Sequence, residues 1–320
     1  MMNRSHTLFA AIGVSVALIE TLLAGSPQPS PPGPPGTQVV LLGTGTPPAD
    51  PDRSGPASAV VVNGTPYLVD FGAGVVRRAK SAAVDKGIAA LDPVKLRVAF
   101  VTHLHSDHVV GYPDLMLTPW VIGRRVPLEV YGPPGIKEMT AKIIEAYKVD
   151  YETRMKDRNL YTVGASAEGH GANAYEVRPG VVYKDANVTV TAFATKHAVE
   201  SYGYRFDTAD RSIVFSGDTN PTQATIDACR GCDVLVHEVL TLDWLSRRPD
   251  FVKYAATHHT TTPQLIELAT KAKPKLLILS HTSLSIRPTV DSERSTIATM
   301  LAEMAGYAGR VVVGRDLDVY

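Results

Sequence analysis

Val98-Ala99-Phe100-Val101-Thr102-His103-Leu104-His105-Ser106-Asp107-His108 decides how this chain is read. Four apolar residues of strand character run straight into three imidazoles and one carboxylate spread over six positions, His103 to His108. A core has no use for such a cluster, because each polar group would need its own partner once buried. Imidazole and carboxylate are the ligands of zinc and similar divalent ions, and the H-x-H-x-D-H spacing places several within reach of one another. The stretch therefore predicts a β-strand that delivers a metal site at its end.

The same grammar recurs downstream. His197 follows the run Val190-Thr191-Ala192-Phe193-Ala194-Thr195-Lys196, Asp218 follows Ile213-Val214-Phe215-Ser216-Gly217, and His281 follows Leu276-Leu277-Ile278-Leu279-Ser280. Taken singly, each would more often be a satisfied surface group. Taken with the first cluster, they add two imidazoles and a second carboxylate, enough for two divalent ions that share one carboxylate.

Around these sites, strand-like runs lie at 38–42, 59–62, 67–71, 97–101, 128–131, 181–183, 188–194, 202–206, 212–215, 233–236, 275–279, 310–313 and 316–319. Helical patterns lie at 74–84, 135–148, 222–228, 263–272 and 292–305. Strands come singly with helices in some places and in hairpins in others. Two mixed sheets covered by helices fit this better than one doubly wound sheet. Strand pairs followed by a strand-end histidine or aspartate occur up to Tyr131 and again from Val181, with a different stretch between them. That stretch, 132–180, reads either as a lid inserted over the site or as a helical hairpin on the surface.

The apolar residues 8–25 behind Arg4 have the form of a secretory leader, although Glu20 interrupts them, and an uncleaved membrane anchor is the competing reading. A Pro-rich linker at 26–37 follows, and one domain is expected at 38–320, with an overall apolar fraction of 44% to build its core. The 32 basic and 32 acidic residues cancel. Proteins that hold long nucleic acids usually present a basic face, so no such partner is demanded. Arg77, Arg78, Lys80, Arg124 and Arg125 could form a local patch, but a solvated helix face explains them as well. Cys229 and Cys232 follow a predicted helix rather than opening one, so a short disulfide is favoured over a redox pair in an exported chain.

Leu41-Leu42-Gly43-Thr44-Gly45-Thr46-Pro47, the H-x-H-x-D-H run, Phe215-Ser216-Gly217-Asp218-Thr219, His237-Glu238 and Ser280-His281 resemble, in order and spacing, the metallo-β-lactamase superfamily. Within it, the chain looks like the branch holding ribonuclease Z and the zinc-dependent arylsulfatase-like hydrolases. The resemblance implies a four-layer αββα sandwich of two mixed sheets and two zinc ions per chain. His103, His105 and His197 would hold one ion, Asp107, His108 and His281 the other, and Asp218 would bridge them. It also implies that Glu238 and His259 form a proton-delivering pair, counted with Asp107 as catalytic, and that Asp70 orients a ligand. Gly43-x-Gly45 lacks the third glycine of a nucleotide loop and reads as a tight turn beside the metals.

A metal-activated water attacking an ester follows from such a site. The substrate expected is a small sulfate or phosphate ester, hydrolysed outside the cytoplasm by an arylsulfatase-like enzyme, periplasmic or secreted. Export, the lack of basic charge, and Thr282-Ser283-Leu284 in place of the Ser-Arg-Tyr of ribonuclease Z weigh against RNA. The alternatives are a lactone or β-lactam hydrolase, a ribonuclease Z-like phosphodiesterase, and a non-catalytic metal-binding module. Expected partners are the small ester alone, with no nucleic acid, the membrane reached only through an uncleaved leader, and room for a homodimer.

Overall fold

Alternation along one strand sets out the layers. In the computed structural model, which describes residues 36–156, 166–282 and 290–320, Val39 and Leu41 of β1 (Thr37–Gly43) enter a core between two sheets, while Val40 and Leu42 face helices on the other side. A strand covered on both faces must be apolar at every position, which is why its run shows no polar alternation. The leader and all but the end of the linker lie outside the described residues.

Six strands make the first sheet in the order β1, β2 (Ala57–Val62), β3 (Thr65–Val69), β4 (Val98–Phe100), β5 (Leu128–Gly132) and β6 (Ala172–Glu176). The first two pairings are antiparallel and the last three parallel. Between these strands run α1 (Val75–Asp85), α2 (Ser106–Val109), α3 (Tyr112–Val121), α4 (Ile136–Ala146) and α5 (Lys148–Lys156). Val75, Val76 and Ala79 of α1, Leu115 and Met116 of α3 and Ile136 of α4 cover the outer face of this sheet.

The second sheet repeats the scheme with β7 (Gly180–Lys184), β8 (Val188–Ala194), β9 (Tyr202–Thr208), β10 (Ser212–Phe215), β11 (Val234–Val239), β12 (Leu276–Thr282) and β13 (Val311–Val313), again antiparallel first and parallel after β10. Its helices are α6 (Gln223–Cys229), α7 (Leu242–Ser246), α8 (Val252–His258), α9 (Thr262–Ala272) and α10 (Val290–Glu303). Leu265, Leu268, Ala269 and Ala272 of α9 bury against Leu235, Leu277 and Leu279, and Val234, Val236 and Ile278 face the inter-sheet core. The result is the four-layer αββα sandwich. Cys229 and Cys232 are disulfide-bonded just where α6 ends.

Several sequence expectations need correction. The stretch 132–180 is largely a crossover of the first sheet: α4 buries Ile136 and Thr140, and β6 pairs in parallel with β5. Its tip at 157–165 lies outside the described residues. The run 316–319 forms an isolated bridge, Val40 to Val319, instead of a strand. Among the described residues no helix is long and apolar enough to cross a membrane.

Arg124 is no part of a charged patch. It is 1% exposed, and its guanidinium donates to the carbonyls of Leu96, Leu115, Met116 and Gly169, at 2.6 to 3.2 Å. Burial lowers its pKa to about 10, so the cation persists at neutral pH. One side chain thus binds the middle of α3, where Pro119 has no N–H for the Leu115 carbonyl, the approach to β4 and the loop before β6, all backbone groups that would be costly to orphan. Arg124→Ala is expected to destabilise the fold by about 3 kcal/mol or more. A urea midpoint that moves by the equivalent of less than about 1 kcal/mol would show those carbonyls to be satisfied some other way.

Candidate metal centre

The ligands stand at strand ends, all but His197 on strands with a parallel neighbour, the position at which α/β sheets present their crevices. β4 leads through Val101 and Thr102 into His103, His105 at the N-cap of α2, and Asp107 and His108 within that helix. β8 leads to His197, β10 to Asp218, and β12 carries His281. Backbone contacts set α2 in place: Phe71 N donates to His108 O, Gly111 N to Phe71 O and Gly72 N to Pro56 O. Gly72 has no room for a side chain there. A Cβ would lie 2.5 Å from the Asp107 carbonyl oxygen and 2.6 Å from the Gly55 carbonyl carbon.

Three nitrogens converge in the first ligand set. His103 Nε2 lies 3.0 Å, and His197 Nε2 3.1 Å, from His105 Nδ1. A tetrahedral ion bound at about 2.0–2.1 Å keeps its ligand atoms roughly 3.3 Å apart, so little movement separates this triangle from a filled site. The outer nitrogens fix the tautomers. His197 Nδ1 donates to the His258 carbonyl at 2.8 Å. His103 Nδ1 lies 3.0 Å from Thr102 Oγ1, which also reaches both Asp70 oxygens at 3.0 Å. The Thr102 hydroxyl has one hydrogen and the carboxylate only accepts, so the imidazole donates and its Nε2 keeps a bare lone pair. Burial holds His103 well below the ordinary imidazole range and lowers His197 to about 4, leaving both neutral, as a ligand must be.

The second set is Asp107, His108 and His281. His108 Nδ1 donates to Asp70 Oδ2 at 2.9 Å, and His281 Nδ1 to the Gly45 carbonyl at 2.8 Å, so both Nε2 atoms face inward. Asp70 thus serves His103 through Thr102 and His108 directly, in a left-handed conformation, φ 60°, that Asp tolerates better than most residues. The Gly43-x-Gly45 turn does lie beside the site, and its carbonyl is the feature that matters.

Asp218 sits between the two sets. Its Oδ1 is 3.4 Å from His108 Nε2, and its Oδ2 is 3.1, 3.9 and 4.0 Å from the Nε2 atoms of His281, His197 and His103. Burial opposes its charge, but His281 and His108 outweigh that and hold the carboxyl well below the usual carboxylate range. Asp107 Oδ2, His108 Nε2 and Asp218 Oδ1 are buried without a hydrogen-bond partner. Three orphaned atoms facing one another are costly in a folded protein unless a cation joins them. The triads His103–His105–His197, His103–His108–Asp218 and Asp107–His108–His281 each keep their ligand atoms within 4.8 Å of one another. The donor set fits divalent metal.

Glu238 and His259 meet as expected. His259 Nδ1 lies 2.9 and 3.0 Å from the two Glu238 oxygens, and Glu238 also accepts from Thr219 N at 2.7 Å. Burial disfavours the His259 cation, but the Glu238 charge prevails and raises its pKa; burial raises that of Glu238. The neighbouring His258 is turned away, its Nδ1 on the Thr257 hydroxyl and the Tyr254 carbonyl, and it contributes only the carbonyl that orients His197. Sequence reasoning named neither that carbonyl, nor Gly45 O, nor Thr102, because two of the three act through backbone atoms. His237 is fully buried, with Nδ1 donating to the Glu238 carbonyl at 2.7 Å.

Comparison with known proteins agrees with this architecture. The beta-lactamase superfamily domain matches residues 65–282. A ribonuclease Z of Mycobacterium bovis is 32% identical over 88% of this chain and 96% of its own length, and one of a Mycobacterium species, strain KMS, is 34% identical over 88% and 94%. The short form of human tRNase Z superposes with a TM-score of 0.63 over 88% of this chain and 98% of its own, at 20% identity, which speaks for the fold alone. These relatives overturn two expectations. The arylsulfatase-like reading has no support among them, and a partner list without nucleic acid conflicts with their name. Net charge was the wrong guide, since it averages over the whole surface and says nothing of the few contacts beside a cleavage site.

Proposed function

We propose, because the chain belongs to the metallo-β-lactamase superfamily among relatives named ribonuclease Z, that this metal-dependent hydrolase cleaves phosphodiester bonds in RNA. Two zinc ions suit the ligands: His103, His105 and His197 would hold one, Asp107, His108 and His281 the other, and Asp218 would touch both. When bound, they would activate water near neutral pH and neutralise the charge that builds on the phosphoryl oxygens.

The chain's own groups do the rest. Asp70, Thr102, and the carbonyls of Gly45 and His258 aim the imidazoles. Glu238 keeps a proton on His259, whose ring has a nitrogen within 4.8 Å of the ligand atoms of His197 and Asp218. In hydrolysis one P–O bond forms to water and another breaks, and His259 would deliver the proton that the departing ribose oxygen needs. The buried His259–Glu238 pair is the observation that carries this reading. A metal-binding module needs no proton donor, and a phenolic leaving group scarcely needs one, whereas a sugar alkoxide does.

The test is zinc-dependent initial rates for the full chain on a precursor transfer RNA, bis-p-nitrophenyl phosphate, p-nitrophenyl sulfate and a chromogenic lactone. Both phosphodiesters should be cleaved and the sulfate left intact. Turnover of the lactone or the sulfate with no cleavage of RNA would refute the proposal.

A further inference from the structure

Arg53 lies in the connection between β1 and β2, where no motif marks it, yet it touches both sheets' contributions to the metal centre. Its Nη1 donates to the Thr282 carbonyl at 2.9 Å, and its Nη2 to the Thr44 carbonyl at 2.8 Å and the Thr44 hydroxyl at 2.7 Å. The Thr282 hydroxyl accepts from the same nitrogen at 3.2 Å. Thr44 precedes Gly45, whose carbonyl orients His281, and Thr282 follows His281 itself. The guanidinium therefore grips the chain on both sides of one hydrogen bond, the 2.8 Å contact from His281 Nδ1 to Gly45 O.

The grip is anchored from behind. Asp316 accepts from Thr44 N at 2.9 Å, the Thr44 hydroxyl at 2.8 Å and Ser54 N at 2.8 Å, and Gly45 N donates to Ser54 O at 2.9 Å. His281, for its part, sits in the left-handed region, uncommon for a residue with a side chain, with φ 48° at the point where the β12 register against β11 slips. A strained ligand stays in place only where its surroundings over-determine it. Those surroundings include the Arg53 guanidinium and the Asp316 carboxylate.

We propose that Arg53 is a positioning residue for the second ion: by joining the Thr44 and Thr282 carbonyls it holds His281 at its ligand position and sets the affinity of the Asp107–His108–His281 set. The inference rests on the two-ion reading above. Simple electrostatics makes the opposite forecast, because a cation beside a divalent-ion site repels the ion, and removing it should tighten binding. The sign of the change separates a clasp from a mere charge.

The experiment is a zinc titration of chelator-stripped full-length protein, followed by calorimetry, for the wild type, Arg53→Ala and Arg53→Lys. One of the two binding steps should lose about 10–100-fold in affinity in Arg53→Ala, as is usual for outer partners of a ligand, with the other unchanged. Arg53→Lys keeps the charge but reaches one carbonyl only, and should fall in between; it decides the matter if the alanine variant does not fold. Two unchanged steps, or a tighter one, overturn the proposal, and so does an equal loss at both steps, which marks general loosening. A wild type that takes up no zinc, or only one ion, fails the two-ion reading itself, and the inference falls with it.

Discussion

Replacing His259 with alanine is expected to slow RNA cleavage by about 10²–10⁴-fold, the usual worth of a positioned proton donor, while zinc content stays at the wild-type level. The geometry behind this is specific. Nδ1 of the ring is committed to Glu238 at 2.9 and 3.0 Å, which leaves Nε2 as the reacting atom. Because the deficit comes from an unprotonated leaving oxygen, it should shrink when the leaving group needs no proton. Bis-p-nitrophenyl phosphate should therefore lose far less than RNA in the same variant. Glu238→Gln tests the other half of the pair. Glu238 raises the His259 pKa against the opposing effect of burial, so neutralising it lowers the pKa, and the alkaline limb of kcat should move to lower pH. His259 also groups with His197 and Asp218 within 4.8 Å, which gives a competing assignment as a ligand. Loss of zinc from His259→Ala, or an equal deficit on both substrates, would favour that assignment and sink the proton donor.

How much of this was legible beforehand depended on whether a residue acts through its side chain near its own strand. His103, His105, Asp107 and His108 announce themselves because one strand end carries them all, and His197, Asp218 and His281 follow because they repeat that placement. Both sheets were readable from apolar runs, since strands covered on two faces need apolar residues throughout. β6 was not, because Ala172-Asn173-Ala174-Tyr175-Glu176 is an exposed edge strand with no β-branched residue. Five helices, α2, α3, α5, α7 and α8, were missed: α2 and α7 for want of length over which a period could show, and α3 because Pro113 and Pro119 interrupt its pattern. Arg53 and Arg124 could not be read at all. Their partners are carbonyls, and Thr282 lies 229 positions from Arg53, so no local pattern encodes the contact. The substrate was misread for a related reason: a balanced total charge was taken to describe one cleft.

Asp218→Ala is expected to abolish turnover and to leave at most one zinc per chain. Asp218 is the group whose two oxygens approach the inner nitrogens of His103, His108, His197 and His281, between 3.1 and 4.0 Å. Any other ligand belongs to one set, and its loss spares most donors of the other. Without this carboxylate, five imidazoles and Asp107 would have to hold two dications that repel each other in a buried site, with a single negative charge among the ligands. The consequence can be read without any substrate. A ligand that binds only the folded state at 100 times its Kd stabilises that state by about 2.7 kcal/mol, so zinc should raise the wild-type Tm by several degrees. In Asp218→Ala that rise should largely vanish, whereas the metal-free proteins should melt close together. In the metal-free fold Asp218 is buried with Oδ1 unpartnered, but its Oδ2 lies 3.1 Å from His281 Nε2, so the effects of removing it there oppose each other. A zinc-dependent Tm rise that survives the substitution intact would mean that the two histidine sets hold metal independently, and that Asp218 bridges nothing.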